Sequence, residues 1–136
     1  MSMFFRSAEF FRSLQERMNR DSAPTEGLDS KDAYCGLMIG HHLLVLEFAG
    51  NECSSVVAGG NELDLDFVVA GSSAAWQKMI EAIDRDDAAI GIASLVDSGD
   101  FELRSVDAAG VKMANEVLPF LQVFLEQARG IDVSFE

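Results

Sequence analysis

Apolar residues near the beginning of the chain recur every three or four positions, which is the spacing of one face of an α-helix. This apolar stripe consists of Phe4, Ala8, Phe11, Leu14 and Met18, and Phe10 widens it. Phe5 lies off the stripe, and the arginines of the segment lie mostly opposite to it. We therefore predict an amphipathic helix over residues 2–20 whose apolar face lies on the core. The alternative is an interfacial helix in contact with lipid, because basic and aromatic residues suit that role.

β-Strands are predicted in the next part of the chain, after a polar connecting loop over residues 21–32. Strands over residues 43–48 and 53–57 are separated by a short turn, so we expect them to form an antiparallel hairpin. A third strand is predicted over residues 63–69, because leucines alternate with aspartates in its first half.

Helical spacing returns after a break at residues 71–73, where serines provide a helix cap. The apolar residues that follow at this spacing are Trp76, Met79, Ile80 and Ile83. A second, short helix is predicted over residues 88–96, with Asp86 or Asp87 as its cap. Because this segment is apolar nearly all round, we expect it to be buried. A turn over residues 97–100 then leads into a strand over residues 101–106.

The last predicted element is a long helix over residues 107–129. One side of it carries Met113, Val117, Phe120, Leu121, Phe124 and Ala128. Pro119 lies inside this helix, and proline lacks a backbone donor and clashes with the carbonyl four residues earlier, so we expect a kink or a break near Leu118. The order of elements predicts one α+β domain over residues 1–136, with the sheet and the remaining helices in residues 33–136.

Charge is distributed unevenly along the chain, which has a net charge of −13. Four arginines and two glutamates give residues 1–20 a charge of +2, so the other 116 residues carry −15. An acidic body repels phosphate backbones, and we therefore expect no nucleic-acid partner. The basic first segment has three possible docking surfaces, namely the acidic body, a second subunit as in a homodimer, or transiently an anionic membrane.

The two cysteines, Cys35 and Cys53, each lie in an apolar, β-rich stretch. This setting predicts buried, reduced thiols in a cytosolic protein. The arginines and glutamate near the beginning interrupt any continuous apolar segment of the kind that a secretory signal needs. The longest uncharged stretch, residues 33–46, is too short to span a bilayer. We expect a soluble, cytoplasmic protein.

Catalytic and metal-binding patterns are absent from the sequence. His41 and His42 are neighbours in an extended segment, so their rings point to opposite faces and do not chelate one ion together. No nucleophile-elbow or glycine-rich phosphate loop occurs, and we expect no cofactor. Asp64 and Asp66 share one predicted strand face and are the remaining candidates for a general base, although their alternation with leucines is typical of a solvent-exposed face.

Three segments together resemble a known family. Residues 44–48, residues 66–72 with Trp76 after them, and residues 93–105 are similar to the hairpin, the strand-to-helix junction and the helix–turn–strand of the sterol carrier protein type-two family. The similarity covers nearly the whole chain. It implies a twisted, mainly antiparallel four- or five-stranded sheet covered by helices, with long N- and C-terminal helices. It also implies an apolar tunnel between sheet and helices for fatty acyl chains, sterols or similar molecules, and no catalytic residues.

Bulky apolar residues are the candidates for lining such a tunnel. They are Phe10, Leu14, Phe67, Trp76, Met79, Leu103, Met113, Val117, Phe120 and Phe124. A kinked helix at Pro119 is expected to leave a gap through which a ligand enters. We therefore expect a non-catalytic carrier of a hydrophobic small molecule or lipid. Two alternatives remain, namely an acidic accessory module that dimerises through the N-terminal helix and Phe5, and a small steroid isomerase-like enzyme with Asp64 or Asp66 as base.

Overall fold

The computed structural model describes residues 3–5, 7–20, 32–49, 52–87 and 90–135. The helices are α1 (Ala8–Arg20), α2 (Ser73–Asp84), α3 (Ile92–Ser98) and α4 (Ala108–Glu126). The strands are β1 (Met3–Phe4), β2 (Ala33–Ile39), β3 (His42–Ala49), β4 (Glu52–Ala58), β5 (Phe67–Gly71), β6 (Phe101–Arg104) and β7 (Val133–Ser134). A 3₁₀ turn at Glu62–Asp64 precedes β5.

Five of the strands form one open sheet in the order β4-β3-β2-β5-β6. The pair β2–β5 is parallel and the other three pairs are antiparallel, so the prediction of an α+β fold with a mainly antiparallel sheet is confirmed. The predicted hairpin is β3–β4, in which Leu46 lies opposite Val56. A separate parallel pair joins β1 to β7, and Phe5 N donates to Ser134 O at 2.9 Å beside it.

The main core lies between one face of the sheet and the helices α1 to α4. Strand β3 shows how the sheet supplies it, since Leu44, Leu46 and Phe48 are buried while the residues between them are partly exposed. Two side chains of α1 hold that helix at the β4 edge. Gln15 Nε2 and Asn19 Nδ2 donate to the Cys53 carbonyl at 2.9 and 2.8 Å. These bonds satisfy edge-strand backbone groups that would otherwise face solvent.

The predicted beginning of the first helix is wrong. Residues 3 and 4 form strand β1, and α1 begins at Ala8. Two contacts explain this, because the Ser7 hydroxyl accepts from Phe10 N at 3.1 Å and caps the helix there, and β1 pairs with the distant β7. From Ala8 onward the prediction is confirmed, and the apolar stripe of α1 is buried in the core. The polar loop predicted over residues 21–32 lies outside the described residues except for Asp32.

The third predicted strand begins four residues later than expected. Asn61 Oδ1 accepts from Leu63 N at 3.0 Å and starts the 3₁₀ turn, so Leu63 is 71% exposed instead of facing the core. The pairing with the sheet begins only at Phe67. The strand predicted from the alternation of leucine and aspartate is therefore wrong over residues 63–66. The side chain of Asn61 caps a turn there, and this cap competes with extended backbone.

The short third helix is also shifted. It runs from Ile92 to Ser98 with Gly91 as its N-cap, whereas residues 88–96 and an aspartate cap were predicted. Residues 88 and 89 lie outside the described part of the chain. Only Ile92 and Leu95 of α3 are buried, so the expectation of a fully buried helix is wrong. Its apolar residues face two environments, the core and the cleft described below.

Helix α4 begins where predicted, since Asp107 Oδ1 accepts from Gly110 N at 2.9 Å. It then continues through Pro119 to Glu126 as one helix, so the expected break does not occur. Pro119 is exposed, while Val117, Phe120 and Leu121 on both sides of it are buried. Packing of these side chains on the core keeps the two halves of α4 together despite the missing backbone donor.

Candidate ligand-binding cleft

A cleft of about 560 Å³ opens between α3, α4 and the segment that follows α2. Apolar side chains form its floor, namely Ile83, Ile90, Ile92, Leu118 and Pro119. Ile83 and Ile92 also belong to the main core. The floor of the cleft is therefore continuous with the interior between helices and sheet.

Gln122 fixes the position of α3 against α4. Its Oε1 accepts from Ile92 N at 2.9 Å, which supplies the side-chain cap that Gly91 lacks. A β carbon at position 91 would lie 3.1 Å from Gln122 Oε1. Ser94 Oγ also accepts from Gly91 N at 2.9 Å. The close approach of α3 to α4 at this end of the cleft therefore depends on the absence of a side chain at Gly91, which lies opposite Gln122.

The rim of the cleft is polar and is built where α2 and α4 end. Asp86 has a φ of 61°, and its N–H donates to Ile83 O at 3.0 Å, which helps to terminate α2. Arg129 lies next to it. Its Nη2 is 2.9 Å from Asp86 Oδ1, and its Nε donates to Ile83 O at 3.2 Å. From α1, Arg17 Nη1 donates to the carbonyls of Gln127 and Arg129 at 2.9 and 3.0 Å. These contacts join the ends of three helices.

The ten residues predicted to bind a ligand all belong to or pack against the main core. Eight are buried, and Leu103 and Met113 are half-buried against them. Rings pack closely here, with the Phe120 centroid 5.1 Å from that of Phe48. None of the ten lines the 560 Å³ cleft, although Phe67 borders a smaller cavity of about 280 Å³ beside Arg104. Their role in binding stays a prediction.

Several cleft residues were not anticipated from the sequence, above all Leu118, Gln122 and Ile92. The cleft does include Pro119, beside which a gap was expected. Nothing in the sequence pattern marks Gln122, because a polar residue at the edge of the apolar face of a helix is common. Its function depends on Gly91, which is 31 positions away in the sequence and next to it in space.

The aspartates proposed as a general base lie away from this cleft. Asp64 is exposed on the 3₁₀ turn, and Asp66 Oδ2 accepts from Tyr34 N at 2.8 Å. Within the described ranges, no group of three or more histidine, cysteine or acidic residues is placed to hold a metal ion. The structure therefore offers no support for the isomerase alternative.

The dimerisation alternative loses the surface on which it depended. Phe5 is 1% exposed, and its ring lies 5.4 Å from that of Phe10 and 6.3 Å from that of Trp76. The apolar stripe of α1 is buried by the same chain. Neither is available to a partner in this conformation.

Both cysteines are buried, as predicted. Burial raises the pKa of the Cys53 thiol to about 12 and holds the pKa of Cys35 well above its usual range. Both therefore stay protonated and unreactive at neutral pH.

Among the helices in the described ranges, none has the length and apolar character needed to cross a membrane.

Solved structures resemble this chain over nearly its whole length. The crystal structure of sterol carrier protein 2 superposes with a TM-score of 0.72 at 16% identity, over 93% of this chain and 98% of that one. The chain has the sterol carrier protein 2 fold. The resemblance predicted from the sequence motifs is thus confirmed at the level of the fold.

Two further structures share the sterol carrier protein 2 fold with this chain. One is a solution structure from Thermus thermophilus of a conserved hypothetical protein, possibly sterol carrier protein, with a TM-score of 0.69 at 15% identity over 98% of this chain and 94% of that one. The other is the ubiquinone synthesis protein UbiJ-SCP2, with a TM-score of 0.51 at 17% identity over 90% of each chain. No family model and no curated protein sequence matches the chain.

Proposed function

We propose that this protein binds an apolar ligand, such as a lipid, a fatty acyl chain or a sterol-like molecule, and carries it without changing it. The observation that supports this most directly is the cleft of about 560 Å³ with an apolar floor and a polar rim. Ligand sites commonly have volumes of about 300–1,000 Å³ and combine apolar walls with a few polar groups. The fold adds support, because one structural neighbour is a sterol carrier protein by name.

The geometry of the cleft suits an elongated amphiphile. An apolar body placed on Leu118, Ile90 and Ile92 would remove these side chains from water, and its polar end would remain at the rim. Each methylene buried in this way contributes about 0.8 kcal/mol. Micromolar binding corresponds to about 8 kcal/mol, so more than about ten methylenes must be buried to reach it once the cost of association is included.

We further propose that the inner end of a longer ligand lies among the ten predicted core residues. Ile83 and Ile92 separate the cleft from that core and contact both. Met113 is half-buried and unbranched, so it can change rotamer at little cost and admit a chain between α4 and the sheet. A tunnel of this kind would form when a ligand binds.

Native mass spectrometry of the purified protein tests the proposal directly. A retained small molecule, released on denaturation and identified by its mass, is the expected result. In addition, a bound ligand at 100 times its Kd is expected to stabilise the fold by about 2.7 kcal/mol. If the protein retains no molecule and no hydrophobe raises its melting temperature, the carrier function is wrong.

Leu118→Ala locates the site. The side chain is half-buried in the free protein and would be covered by a ligand, so its truncation is expected to weaken binding about tenfold at little cost in stability. Val111→Ala is the matched control, since Val111 is 45% exposed on the same helix and lies away from the cleft. Equal affinities of the two variants and the wild type would place the ligand elsewhere.

A further inference from the structure

We infer that the cleft selects ligands by the charge of their polar end. It accepts an apolar molecule that ends in a hydroxyl or a protonated amine, and it disfavours one that ends in a carboxylate or a phosphate. This inference rests on the proposed function and names the class of ligand for the same cleft.

The charged residues of the cleft are mostly acidic. Asp86, Asp87, Glu126 and Arg129 line it. Arg129 pairs with Asp86, and Arg85 lies 3.9 Å from Asp87, so Glu126 is the one lining carboxylate without an ion pair to a described residue. Among the described residues that line the cleft, none is a lysine or a histidine. The net charge of the whole chain, −13, adds a repulsive field for any anion that approaches.

Arg129 is already engaged by the protein. Its Nη2 lies 2.9 Å from Asp86 Oδ1, and its Nε donates to the Ile83 carbonyl at 3.2 Å. An anionic head group would have to compete with Asp86 for this guanidinium. Arg129, the only basic residue among the described lining residues, therefore links the ends of α2 and α4 and is not free to bind a carboxylate.

Glu126 is the residue best placed to distinguish the polar ends of different ligands by their charge. It lies at the end of α4, lines the cleft and is half-buried. No described residue donates a hydrogen bond to its carboxylate or forms an ion pair with it. A hydroxyl or ammonium group of a ligand would supply that missing donor, whereas a second carboxylate would place like charges side by side.

The uncharged polar groups of the lining can bind the hydroxyl of such a ligand. Gln122 uses Oε1 to accept from Ile92 N, and its Nε2 is a hydrogen-bond donor. Asn115 contributes a second amide near Leu118. Amide and carboxylate groups together can both donate to and accept from a ligand hydroxyl.

A set of probes with one chain length tests the inference. Decylamine, 1-decanol and decanoate share ten carbons and differ only in the head group, which at pH 7 is cationic, neutral or anionic. Isothermal titration calorimetry at low ionic strength, below micelle-forming concentrations, would give the three Kd values. Decanoate is expected to bind about threefold more weakly than 1-decanol and decylamine about threefold more tightly, the effect of the one unpaired charge of Glu126 across a hydrated rim. The difference should shrink at about 0.5 M NaCl, where charges are screened.

Glu126→Gln assigns the selection to this residue. The variant is expected to bind decanoate about threefold more tightly and decylamine about threefold more weakly, with 1-decanol unchanged. Glu9→Gln is the control, because it removes the same charge from an exposed position on α1 and should leave the ratios of the three Kd values unchanged.

The possible outcomes separate the two proposals. If decanoate binds as tightly as the alcohol and the amine, or if Glu126→Gln leaves the ratios unchanged, the inference on head-group charge is wrong while the carrier function stands. If none of the three probes binds, and no longer hydrophobe does either, the carrier function itself is wrong.

Discussion

Replacing Gly110 by alanine tests how closely the first turn of α4 lies against the sheet. Gly110 is buried, and a methyl group on its α carbon would lie 2.7 Å from Ser105 Cβ and closer still to the Asp66 carbonyl oxygen. Non-bonded carbons normally lie about 3.5–4.0 Å apart. The helix or the segment that contains Asp66 must therefore move.

Helix propensity and packing predict opposite signs for this substitution. Alanine in place of glycine stabilises a helix by up to about 1 kcal/mol. Overpacking in a core costs about 1–3 kcal/mol. Asp66 resists displacement, because its N–H donates to Tyr34 O and its Oδ2 accepts from Tyr34 N, each at 2.8 Å. We therefore take the upper part of the range for the cost of overpacking and expect a net loss of about 2 kcal/mol.

Urea denaturation followed by circular dichroism measures this loss. The midpoint should fall while the dependence of the unfolding free energy on urea stays unchanged. For a chain of this size the melting temperature should fall by roughly 8 °C. Ala109→Gly is the control, because Ala109 is exposed in the same turn and should lose no more than about 1 kcal/mol. A Gly110→Ala protein as stable as the wild type would refute the packing argument.

Three further predictions concern the interior and the cleft. Trp76→Phe removes the bond from Nε1 to Met38 O, 3.0 Å in the wild type, and should cost about 1–3 kcal/mol in chemical denaturation because the site is fully buried. Gln122→Ala should speed hydrogen exchange at the Ile92 amide about tenfold and cost about 1 kcal/mol, whereas Gln122→Glu keeps an acceptor and should exchange like the wild type. Because the folded pKa of Cys53, about 12, lies above the ordinary thiol value, its contribution to stability is complete below about pH 8.5 and is lost as pH rises toward 12. A Cys53→Ala protein should lose less stability than the wild type above about pH 9, with Cys35 responsible for the loss that remains. Alkylation of native protein at about pH 8 should be far slower than in urea.

The elements that were predicted correctly depend on contacts within a few residues. Helix α2 is an example, because the Ser72 hydroxyl accepts from Ala75 N at 3.1 Å and the apolar spacing begins directly after it. Strands β3 and β4 follow from two short β-rich runs separated by a short turn. In such segments, local hydrogen bonds and burial favour the same conformation, and reading the pattern is sufficient.

The errors occur where a distant partner or a competing cap changes the local preference. The pattern through Phe4 fits a helix, yet β1 pairs with β7, whose residues are 130 positions later. Leu63 alternates as in a strand, yet Asn61 turns the backbone first. Pro119 suggested a kink or a break, and the break does not occur, because the buried neighbours of Pro119 keep α4 continuous. In each case the deciding contact does not appear in the periodicity.

Periodicity and charge alone indicated one α+β domain, the order of its four helices and the acidic character of the chain. They also identified which residues are apolar enough for a core. They did not establish which of those residues would be covered by other parts of the chain. The hydrophobic effect is non-directional, so it marks a face without specifying its partner. Tertiary packing buries Trp76 and Phe124 completely and leaves Leu118 half-buried beside Gln122. This difference in burial decides where a ligand has room to bind.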